Sequence, residues 1–374
     1  MTMQLKIILV AGARPNFMKV APIFHALSAR SEAAFKLGLD LRVCVTHTGQ
    51  HYDESMSDVF FRDLRMPKPD RHLEVGSGSH AEQTAKIMVA FEKVLLEELP
   101  DLVVVVGDVN STVACALTAK KLGNRVAHVE AGLRSFDFNM PEEINRKVTD
   151  AISDLLFVTE VSGVENLLAE GIPERKIFLV GNVMIDTLKH NLSMVEGREF
   201  APSEAVRNFR SNGPRYAVLT LHRPSNVDCR ENLIPIWGAI TEVARRIPIL
   251  FPAHPRTASK LARFGLAANG VSIIDPIGYL DMLYAVKDAA IVLTDSGGLQ
   301  EETTALGVPC VTIRENTERP ITVTLGTNYL VGTRPEAILS VAGEILSGNA
   351  KKGTIPPLWD GNAADRIVDI LLRP

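Results

Sequence analysis

Polar and ionisable side chains follow the apolar runs of this 374-residue chain, at the positions where buried parallel strands would end. These residues are Arg14, Asp108, Glu130, His222, His254 and Ser296. In a doubly wound parallel sheet, ligands bind outside the carboxyl ends of the strands. Because strand ends are polar and turn-rich in most proteins, each residue alone is explained as well by structure as by function. Their convergence favours a polar ligand.

Residues 294–302, with the sequence TDSGGLQEE, form the strongest local pattern for anion binding. A strand stops there, Ser296 can cap a helix, and Gly297 and Gly298 leave the first helical amides sterically open. The free N–H groups and the positive end of the helix dipole suit a diphosphate, and a carboxylate one turn later can accept hydrogen bonds from ribose hydroxyls. A well-capped helix with ordinary acidic residues in its first turn is an equally weighted interpretation.

The loop after the first apolar run has the sequence GARPN and lacks the GxGxxG pattern of dinucleotide-binding proteins. No other strand-turn-helix segment of the sequence carries that pattern, so we do not expect a tightly bound NAD. Arg14 and Lys19 instead offer cations near the same edge of the sheet, and an Arg side chain binds phosphate oxygens bidentately. A solvated surface charge is the commoner role for a residue such as Lys19.

Carboxylates form a third group of candidates. Asp108 and Glu130 end consecutive predicted strands, so they can lie side by side at one edge of a parallel sheet. Several acids in one cleft raise one another's pKa and can supply both a proton acceptor and a proton donor. Glu142 and Glu143 are weaker candidates, because Pro141 followed by two acids is also a common helix start.

The elements that must position these residues follow an α/β pattern. Short Val-, Ile- and Leu-rich runs are each followed by a turn and by a stretch with helical spacing, which predicts parallel sheets covered on both faces. The predicted strands span residues 6–12, 41–49, 102–108, 126–132, 155–160, 177–182, 216–222, 249–254, 271–275, 291–294 and 308–313. The predicted helices include residues 81–98, 233–246, 281–288, 335–346 and 363–372.

A polar segment over residues 194–214 predicts a boundary between two domains. We therefore expect an α/β protein with two Rossmann-like doubly wound domains, over residues 1–190 and 191–358, and a cleft between them. We expect the C-terminal helix, within residues 359–374, to return to the first domain.

Composition excludes several classes of protein. The chain is 46% hydrophobic and 22% charged with a net charge of -4, and without a long basic run it is not expected to bind nucleic acid. The cysteines are far apart and form no CxxC or Cys/His cluster, which indicates reduced thiols and no metal site. No apolar run reaches about 18 residues and no signal sequence precedes the first strand, so we expect a cytoplasmic protein without a membrane partner.

Ten motifs, taken in order, resemble the non-hydrolysing UDP-N-acetylglucosamine 2-epimerase family. They are GARPNFMKVAPI, HTGQHYDESM, VVGDVNSTVA, HVEAGLRSFD, MPEEINR, VGNVMIDTL, TLHRPSNVD, FPAHPRT, DSGGLQEE and RENTERP. Each motif alone is weak evidence, but the ordered set covers most of the chain and is highly specific. The resemblance implies the GT-B arrangement of two Rossmann-like domains, a UDP-sugar substrate and a homodimer.

The resemblance also implies roles for individual residues. Five would hold the diphosphate: Arg14, His222, Ser296, Gly297 and Gly298. Glu302 would bind the ribose. The catalytic acid–base set would be Asp108, Glu130 and Glu142, with His222 beside the departing phosphate. Supporting roles in substrate binding would fall to Lys19, Arg134 and Arg146. Members of the bacterial family have an additional allosteric UDP-sugar site, and Gln50, Arg223 and His254 occupy matching motifs.

The implied reaction interconverts UDP-N-acetylglucosamine and UDP-N-acetylmannosamine. The C2 hydrogen is not beside a carbonyl, so direct deprotonation is prohibitively uphill. Elimination of UDP from C1 as the C2 proton leaves gives 2-acetamidoglucal, and re-addition with protonation on the other face gives the epimer. This route needs no redox cofactor and no metal. It needs a stabilised phosphate charge and proton transfer on both faces of C2.

Departures from the best-known family pattern leave the sugar open. Asn16, Pro224 and Ile321 are such departures. The motifs HTGQHYDESMSDVFF and GARPNF also resemble the branch that epimerises UDP-2,3-diacetamido-2,3-dideoxyglucuronic acid. A hydrolysing variant that releases N-acetylmannosamine, a GT-B glycosyltransferase and a catalytically silent UDP-sugar sensor are further alternatives.

Overall fold

The structure, a computed structural model, describes residues 3–49, 64–198, 200–211, 213 and 215–373, without the side chains of residues 14 and 15. The chain divides into two compact units, Met1–Thr187 together with Pro357–Pro374, and Leu188–Pro356. We call these unit 1 and unit 2. Each contains a parallel sheet covered by helices, so the predicted α/β fold class is confirmed.

The strands of unit 1 have the spatial order β3-β2-β1-β4-β5-β6-β7. They are β1 (Met3–Ala11), β2 (Leu39–His47), β3 (Arg71–His72), β4 (Leu102–Val106), β5 (Arg125–Ala131), β6 (Leu155–Val158) and β7 (Ile177–Leu179). All neighbouring pairs are parallel. The strand order reverses between β1 and β4, which makes their carboxyl ends the expected ligand-binding edge.

The helices of unit 1 connect these strands. They are α1 (Arg14–Lys36), α2 (His80–Glu98), α3 (Asn110–Lys121), α4 (Pro141–Ile152), α5 (Val161–Ala169), the first residues of α6 (Val183–Val195) and the closing helix α15 (Ala363–Leu371). Helix α2 begins with a capping box, because Ser79 accepts from the backbone of Glu82 and the Glu82 side chain accepts from Ser79 in return. Its buried face, with Ile87 and Phe91, packs against Val103 of β4.

Unit 2 repeats this topology with the order β10-β9-β8-β11-β12-β13. Its strands are β8 (Ala217–Thr220), β9 (Ile249–Pro252), β10 (Val271–Ile274), β11 (Ile291–Thr294), β12 (Cys310–Thr312) and β13 (Asn328–Leu330). Its helices are α7 (Glu204–Ser211), α8 (Pro224–Val227), α9 (Arg230–Ala244), α10 (Pro255–Arg263), α11 (Tyr279–Val286), α12 (Gly297–Leu306), α13 (Pro320–Thr324) and α14 (Pro335–Leu346).

The apolar runs of unit 2 are continuous because its strands are buried on both faces. Along β8, Ala217 and Leu219 belong to one core cluster while Val218 belongs to another. The same alternation occurs in β11, where Leu293 and Val292 lie in different clusters. A strand with helices on both sides is apolar on both faces, so its sequence does not alternate between polar and apolar residues.

The structure differs from the predicted elements in three places. Every predicted strand overlaps an observed one, but β3 and β13 were missed because they are short and contain polar residues. The segment predicted as a polar boundary contains helix α7. Val206 and Phe209 of α7 are buried against Tyr216, so this helix is part of the unit 2 core.

The segment that follows unit 2 packs tightly against unit 1. Trp359 is buried and donates from Nε1 to the Thr159 carbonyl at 3.1 Å. Helix α15 begins where Asp186 accepts from the backbone of Ala364 at 2.7 Å. Gly181, at φ +89, lies so close to Leu358 that an added Cβ would overlap its carbonyl oxygen and lie 2.9 Å from its carbonyl carbon.

We predict that Gly181→Ala strongly destabilises the protein, because it adds a steric clash with backbone to a left-handed conformation that costs alanine about 1–2 kcal/mol. Gly171→Ala is the matched control, since Gly171 has φ +80 and an added Cβ would meet nothing within 4 Å. Thermal unfolding of both variants measures the difference. Equal losses of stability in the two variants would show that the Leu358 contact is unimportant.

No helix within the described ranges combines the length and the apolar character that a membrane span requires.

Candidate active site

Unit 2 has a cavity of about 310 Å³ at the carboxyl ends of β8, β9 and β11. Its polar lining includes His222, His254 and Ser296, each of which lies two residues beyond one of these strands. Its apolar lining consists of Leu221, Pro252, Pro276, Ile277, Met282 and Leu299. The cavity therefore places three predicted site residues beside an apolar wall that suits a planar base.

Helix α12 begins beside this cavity, with Ser296 at the N-cap position and Gly297 as its first residue. Ser296 is the N-cap residue, as predicted, but its side chain makes no capping hydrogen bond. Its backbone N–H donates to Thr294 Oγ1 at 2.9 Å. Since the first amides of a helix have no partner within it, this end of α12 suits an anion.

Asp295 holds the backbone that carries His222. Its fully buried carboxylate accepts from the backbone N–H groups of His222 at 3.0 Å and Arg223 at 2.8 Å, and it lies 3.0 Å from His222 Nδ1. Burial raises the pKa of Asp295, but the hydrogen bonds and charge of His222 outweigh burial and leave that pKa below its ordinary value. The ionised carboxylate fixes Nδ1 as a donor, which leaves Nε2 of the half-exposed imidazole for a ligand.

A buried network of charges lies against Gly297. Arg319 contacts Glu301 at 2.7 Å and also pairs with Glu318, which accepts from Arg314 at 2.8 Å. A Cβ on Gly297 would lie 3.0 Å from Arg319 Nη1, so glycine lets the helix start approach this network. Burial raises the pKa of Glu318, but the two arginines hold it well below its usual range. The sequence motif RENTERP contains Arg314, Glu318 and Arg319, but the sequence analysis predicted no role for them.

Glu302, predicted to bind the ribose, is buried in α12 with an exposed fraction of 6%. Tyr279 Oη donates to Glu302 Oε1 at 3.1 Å. Burial raises the pKa of Glu302 to about 7, although the Tyr279 hydrogen bond lowers it. Tyr279 begins α11, two residues after the cavity residue Ile277. The sequence analysis did not predict this partner of Glu302.

In unit 1, Asp108 and Glu130 lie at the ends of the paired strands β4 and β5. Glu130 is buried and forms an ion pair with Lys19 of α1. Both partners lie next to Gly107, since a Cβ there would be 3.1 Å from Lys19 Nζ and 3.4 Å from Glu130 Oε2. The structure therefore brings Asp108, Glu130 and Lys19 together at one edge of the sheet.

Arg146 links Asp108 to the loop that follows β5. Its Nη2 donates to Asp108 Oδ2 at 2.9 Å, and its Nη1 pairs with Glu143. Glu143, which is fully buried, accepts from the backbone N–H groups of Ser135 at 2.9 Å and Phe136 at 3.1 Å. Helix α4 begins at Pro141 with Glu142 and Glu143 in its first turn, which confirms the predicted helix start, and Glu143 makes these buried contacts in addition. Glu143 and Arg146 hold Asp108 in place.

Arg134 is paired with carboxylates inside unit 1. Its guanidinium is fully buried, 2.7 Å from Asp150 and 2.6 Å from Glu170. The guanidinium also donates from Nη1 to the Leu133 carbonyl at 2.7 Å. These buried contacts give Arg134 a structural role in unit 1, and its supporting role in substrate binding stays a prediction.

Glu142 and Arg14 are placed only in part. Glu142 lies half-buried in the first turn of α4, where it makes no hydrogen bond or ion pair with any residue that the structure describes. Arg14 is the first residue of α1, directly after β1, and its side chain is outside the described residues.

Of the three residues predicted for an allosteric site, the structure describes His254 and Arg223. His254 lines the same cavity as His222, and its Nδ1 accepts from the backbone of Arg256 at 3.2 Å. Arg223 follows His222 and donates from Nε to the Asp295 carbonyl at 3.1 Å. Gln50 lies outside the described residues.

Comparison with known proteins identifies the family. Residues 35–372 match the family model of the UDP-N-acetylglucosamine 2-epimerases. The chain belongs to this family. The UDP-N-acetylglucosamine 2-epimerase of Methanocaldococcus jannaschii is 45% identical, over 98% of this chain and 99% of the relative. The UDP-2,3-diacetamido-2,3-dideoxy-D-glucuronate 2-epimerase of Pseudomonas aeruginosa is 38% identical, over 99% of this chain and 100% of the relative.

A solved structure of the same family agrees with this assignment. The crystal structure of the M. jannaschii UDP-GlcNAc 2-epimerase in complex with UDP-GlcNAc and UDP has a TM-score of 0.87 at 46% identity, with 99% of both chains covered. The predicted resemblance, the GT-B-like fold class and the prediction that the chain is an epimerase are confirmed.

Proposed function

We propose that this family member interconverts UDP-N-acetylglucosamine and UDP-N-acetylmannosamine by eliminating UDP from C1 and adding it back. The observation that carries the proposal is the pair of carboxylates, Asp108 and Glu130, at neighbouring strand ends with a cation held against each. Arg146 contacts the first and Lys19 contacts the second. An adjacent cation stabilises the charged form of a carboxylate, which is the form that accepts a proton.

In this proposal unit 2 binds the nucleotide. The apolar wall of the cavity contacts the base, Glu302 accepts from the ribose, and the start of α12 at Ser296, Gly297 and Gly298 binds the diphosphate. His222 contacts the phosphate through Nε2, and Arg14 adds a positive charge to the same group. Donors fixed in advance stabilise the charge that develops on the departing UDP without reorganising during the reaction.

Unit 1 supplies the proton transfers. One carboxylate of the set Asp108, Glu130 and Glu142 removes the C2 proton as the C1–O bond breaks and its electron pair leaves with UDP. The C1–C2 double bond of 2-acetamidoglucal forms in the same step. Protonation of C2 on the opposite face by another carboxylate, with return of UDP to C1, gives the epimer.

Proton NMR of UDP-N-acetylglucosamine with the enzyme in D₂O tests the proposal. We expect deuterium at C2 of both epimers and no accumulation of free sugar. Release of N-acetylmannosamine and UDP would indicate the hydrolysing variant instead. Substrate that stays unlabelled at C2 would contradict the proposal.

A second substrate is favoured by the 38% identity to the P. aeruginosa enzyme over the full chain. UDP-2,3-diacetamido-2,3-dideoxyglucuronic acid undergoes the same C2 inversion, so the same residues would serve it. Incubating each UDP-sugar separately in D₂O distinguishes the two, because the preferred substrate will exchange its C2 proton with the larger kcat/KM.

Glu302 makes nucleotide binding depend on pH. Its pKa of about 7 in the free protein means that near neutral pH part of the population is protonated. Ribose hydroxyls donate to the ionised form, so binding lowers the pKa of Glu302. We therefore predict that affinity for UDP falls as pH decreases below about 7, by at most about tenfold per pH unit, and levels off above it. Calorimetric titrations from pH 6 to 9 measure this.

Two variants isolate the contribution of Glu302. Glu302→Gln supplies the baseline, because the terminal phosphate of UDP itself titrates near about pH 6. Tyr279→Phe removes the hydrogen bond that lowers the pKa of Glu302, so the midpoint should move to higher pH and affinity should recover in alkaline buffer. A Glu302→Gln variant with the wild-type pH profile would refute this assignment.

A further inference from the structure

A fully buried histidine and aspartate in unit 1 have no part in the chemistry proposed above. His128 lies in the middle of β5 with an exposed fraction of 0%, and Asp150 lies in α4 with 1%. His128 Nδ1 is 2.7 Å from Asp150 Oδ1, and His128 Nε2 is 2.8 Å from the Gly107 carbonyl. Burying two ionisable groups is costly unless they are paired, so the pair requires an explanation.

The pair joins the three elements that carry the candidate acids. Gly107 directly precedes Asp108 at the end of β4. Asp150 Oδ2 accepts from the backbone N–H of Gly132, at the end of β5, at 3.1 Å. Asp150 itself lies in α4, the helix that carries Glu142. One side-chain pair therefore fixes the ends of two strands and a helix relative to one another.

The backbone at these strand ends needs such support. Gly107 has φ +68, Glu130 has φ +73 and Gly132 has φ +80. A left-handed conformation is uncommon for a residue with a long side chain such as glutamate, and it persists only where the surroundings fix it. It also aims the Glu130 side chain, since φ determines where the Cβ points. The pair binds Gly132, two residues after Glu130, and Gly107, which follows the neighbouring strand β4.

The hydrogen bonds of His128 and Asp150 show which of their atoms carry protons. The Gly107 carbonyl can only accept, so Nε2 carries a proton, and the contact between Nδ1 and Oδ1 requires a second proton between those atoms. Asp150 Oδ2 also contacts Arg134 Nη1 at 2.7 Å, and Arg134 contacts Glu170. A proton in a short buried contact of this kind gives a resonance that NMR can follow.

We propose that His128 and Asp150 are positioning residues that hold Asp108 and Glu130 at the spacing and direction that proton transfer at C2 requires. The inference rests on the proposed function. A displacement of about 1 Å between reacting groups costs on the order of 10²-fold in rate. Loss of the pair should therefore lower kcat and leave nucleotide binding by unit 2 unchanged.

Asp150→Asn and His128→Gln test this inference in the full-length chain. We expect kcat for C2 exchange to fall by about 10²-fold with an unchanged dissociation constant for UDP. The low-field proton signal of the wild-type chain should be absent from both variants. Glu170→Gln is a milder variant, because Glu170 is partly exposed and contacts Arg134 and Lys147, not His128 or Asp150. It should fold and lose a smaller fraction of kcat.

Asp154→Asn is the matched control. Asp154 accepts from the backbone of Val126 at 2.8 Å and pairs with Lys120, so it holds the opposite, amino end of β5. It should lower thermal stability without lowering kcat. Wild-type kcat in folded Asp150→Asn, an equal loss in Asp154→Asn, or a wild-type chain without the low-field signal would overturn the inference. A wild-type chain that exchanges no C2 proton would refute the proposed function instead.

Discussion

Replacing Glu130 by glutamine will lower the rate of C2 epimerisation by about 10²- to 10⁴-fold while UDP still binds. Glutamine has nearly the same shape and can still accept a hydrogen bond from Lys19, but it cannot take up a proton. Because Glu130 is not among the residues proposed to hold UDP, the dissociation constant for UDP should not change. Rates of deuterium incorporation at C2 and calorimetry with UDP measure the two quantities.

Stability must be measured alongside activity, because the variant leaves Lys19 buried without its charged partner. Breaking a buried pair in this way costs about 3–5 kcal/mol. Glu165→Gln is a matched control, since Glu165 is an exposed glutamate of the same unit, on α5. It should retain both activity and stability. Full activity in folded Glu130→Gln would remove Glu130 from the mechanism.

Replacing Asp295 by asparagine will weaken UDP binding by about 10²-fold. The carboxylate holds two backbone N–H groups and His222 Nδ1, all of which donate to it. An amide presents an N–H group to some of those donors, so His222 and the turn after β8 lose their fixed position. Truncating one partner of a buried charged pair costs about 2–5 kcal/mol, and each 1.4 kcal/mol is tenfold in affinity.

Asp295 also affects stability as a function of pH. Its pKa is lowered in the folded protein, so its ionised form adds stability above the ordinary carboxyl pKa of about 4, and this is lost as pH falls through the folded value. The Asn variant should lack that acid-dependent loss. Asp288→Asn is the control, because Asp288 is a partly exposed carboxylate of the same unit paired with Arg210. UDP affinity that is equal in Asp295→Asn and Asp288→Asn would contradict the assigned role.

The sequence predicts the strands of this fold because burial on both faces leaves an apolar run that no other element explains as well. The sequence predicts a strand poorly where the strand is not buried on both faces. Strands β3 and β13 are short and partly polar, and they form because a neighbouring strand offers hydrogen bonds. Helix α7 was missed because its composition is polar apart from the buried Val206 and Phe209.

The sequence likewise predicts some residues of the candidate site and not others. Residues directly after strands, such as Asp108, His222 and Ser296, are predictable because sheet topology alone brings the carboxyl ends of strands together. Their partners are not, because contacts such as His128 with Asp150 and Arg134 with Glu170 join distant parts of the sequence. Two features of the sequence could have pointed to such buried partners. They are a histidine within the apolar strand AHVEA and the charged motif RENTERP.

The most direct test of the mechanism is positional isotope exchange in UDP-N-acetylglucosamine that carries ¹⁸O in the bridge between C1 and the β-phosphorus. If the C1–O bond breaks and re-forms, the β-phosphate rotates in the site and the label moves to its non-bridging positions, which ³¹P NMR detects. We predict scrambling at least as fast as the appearance of UDP-N-acetylmannosamine. Epimer that forms while the label stays entirely in the bridge, with neither UDP nor 2-acetamidoglucal in quenched reaction mixtures, would contradict elimination of UDP.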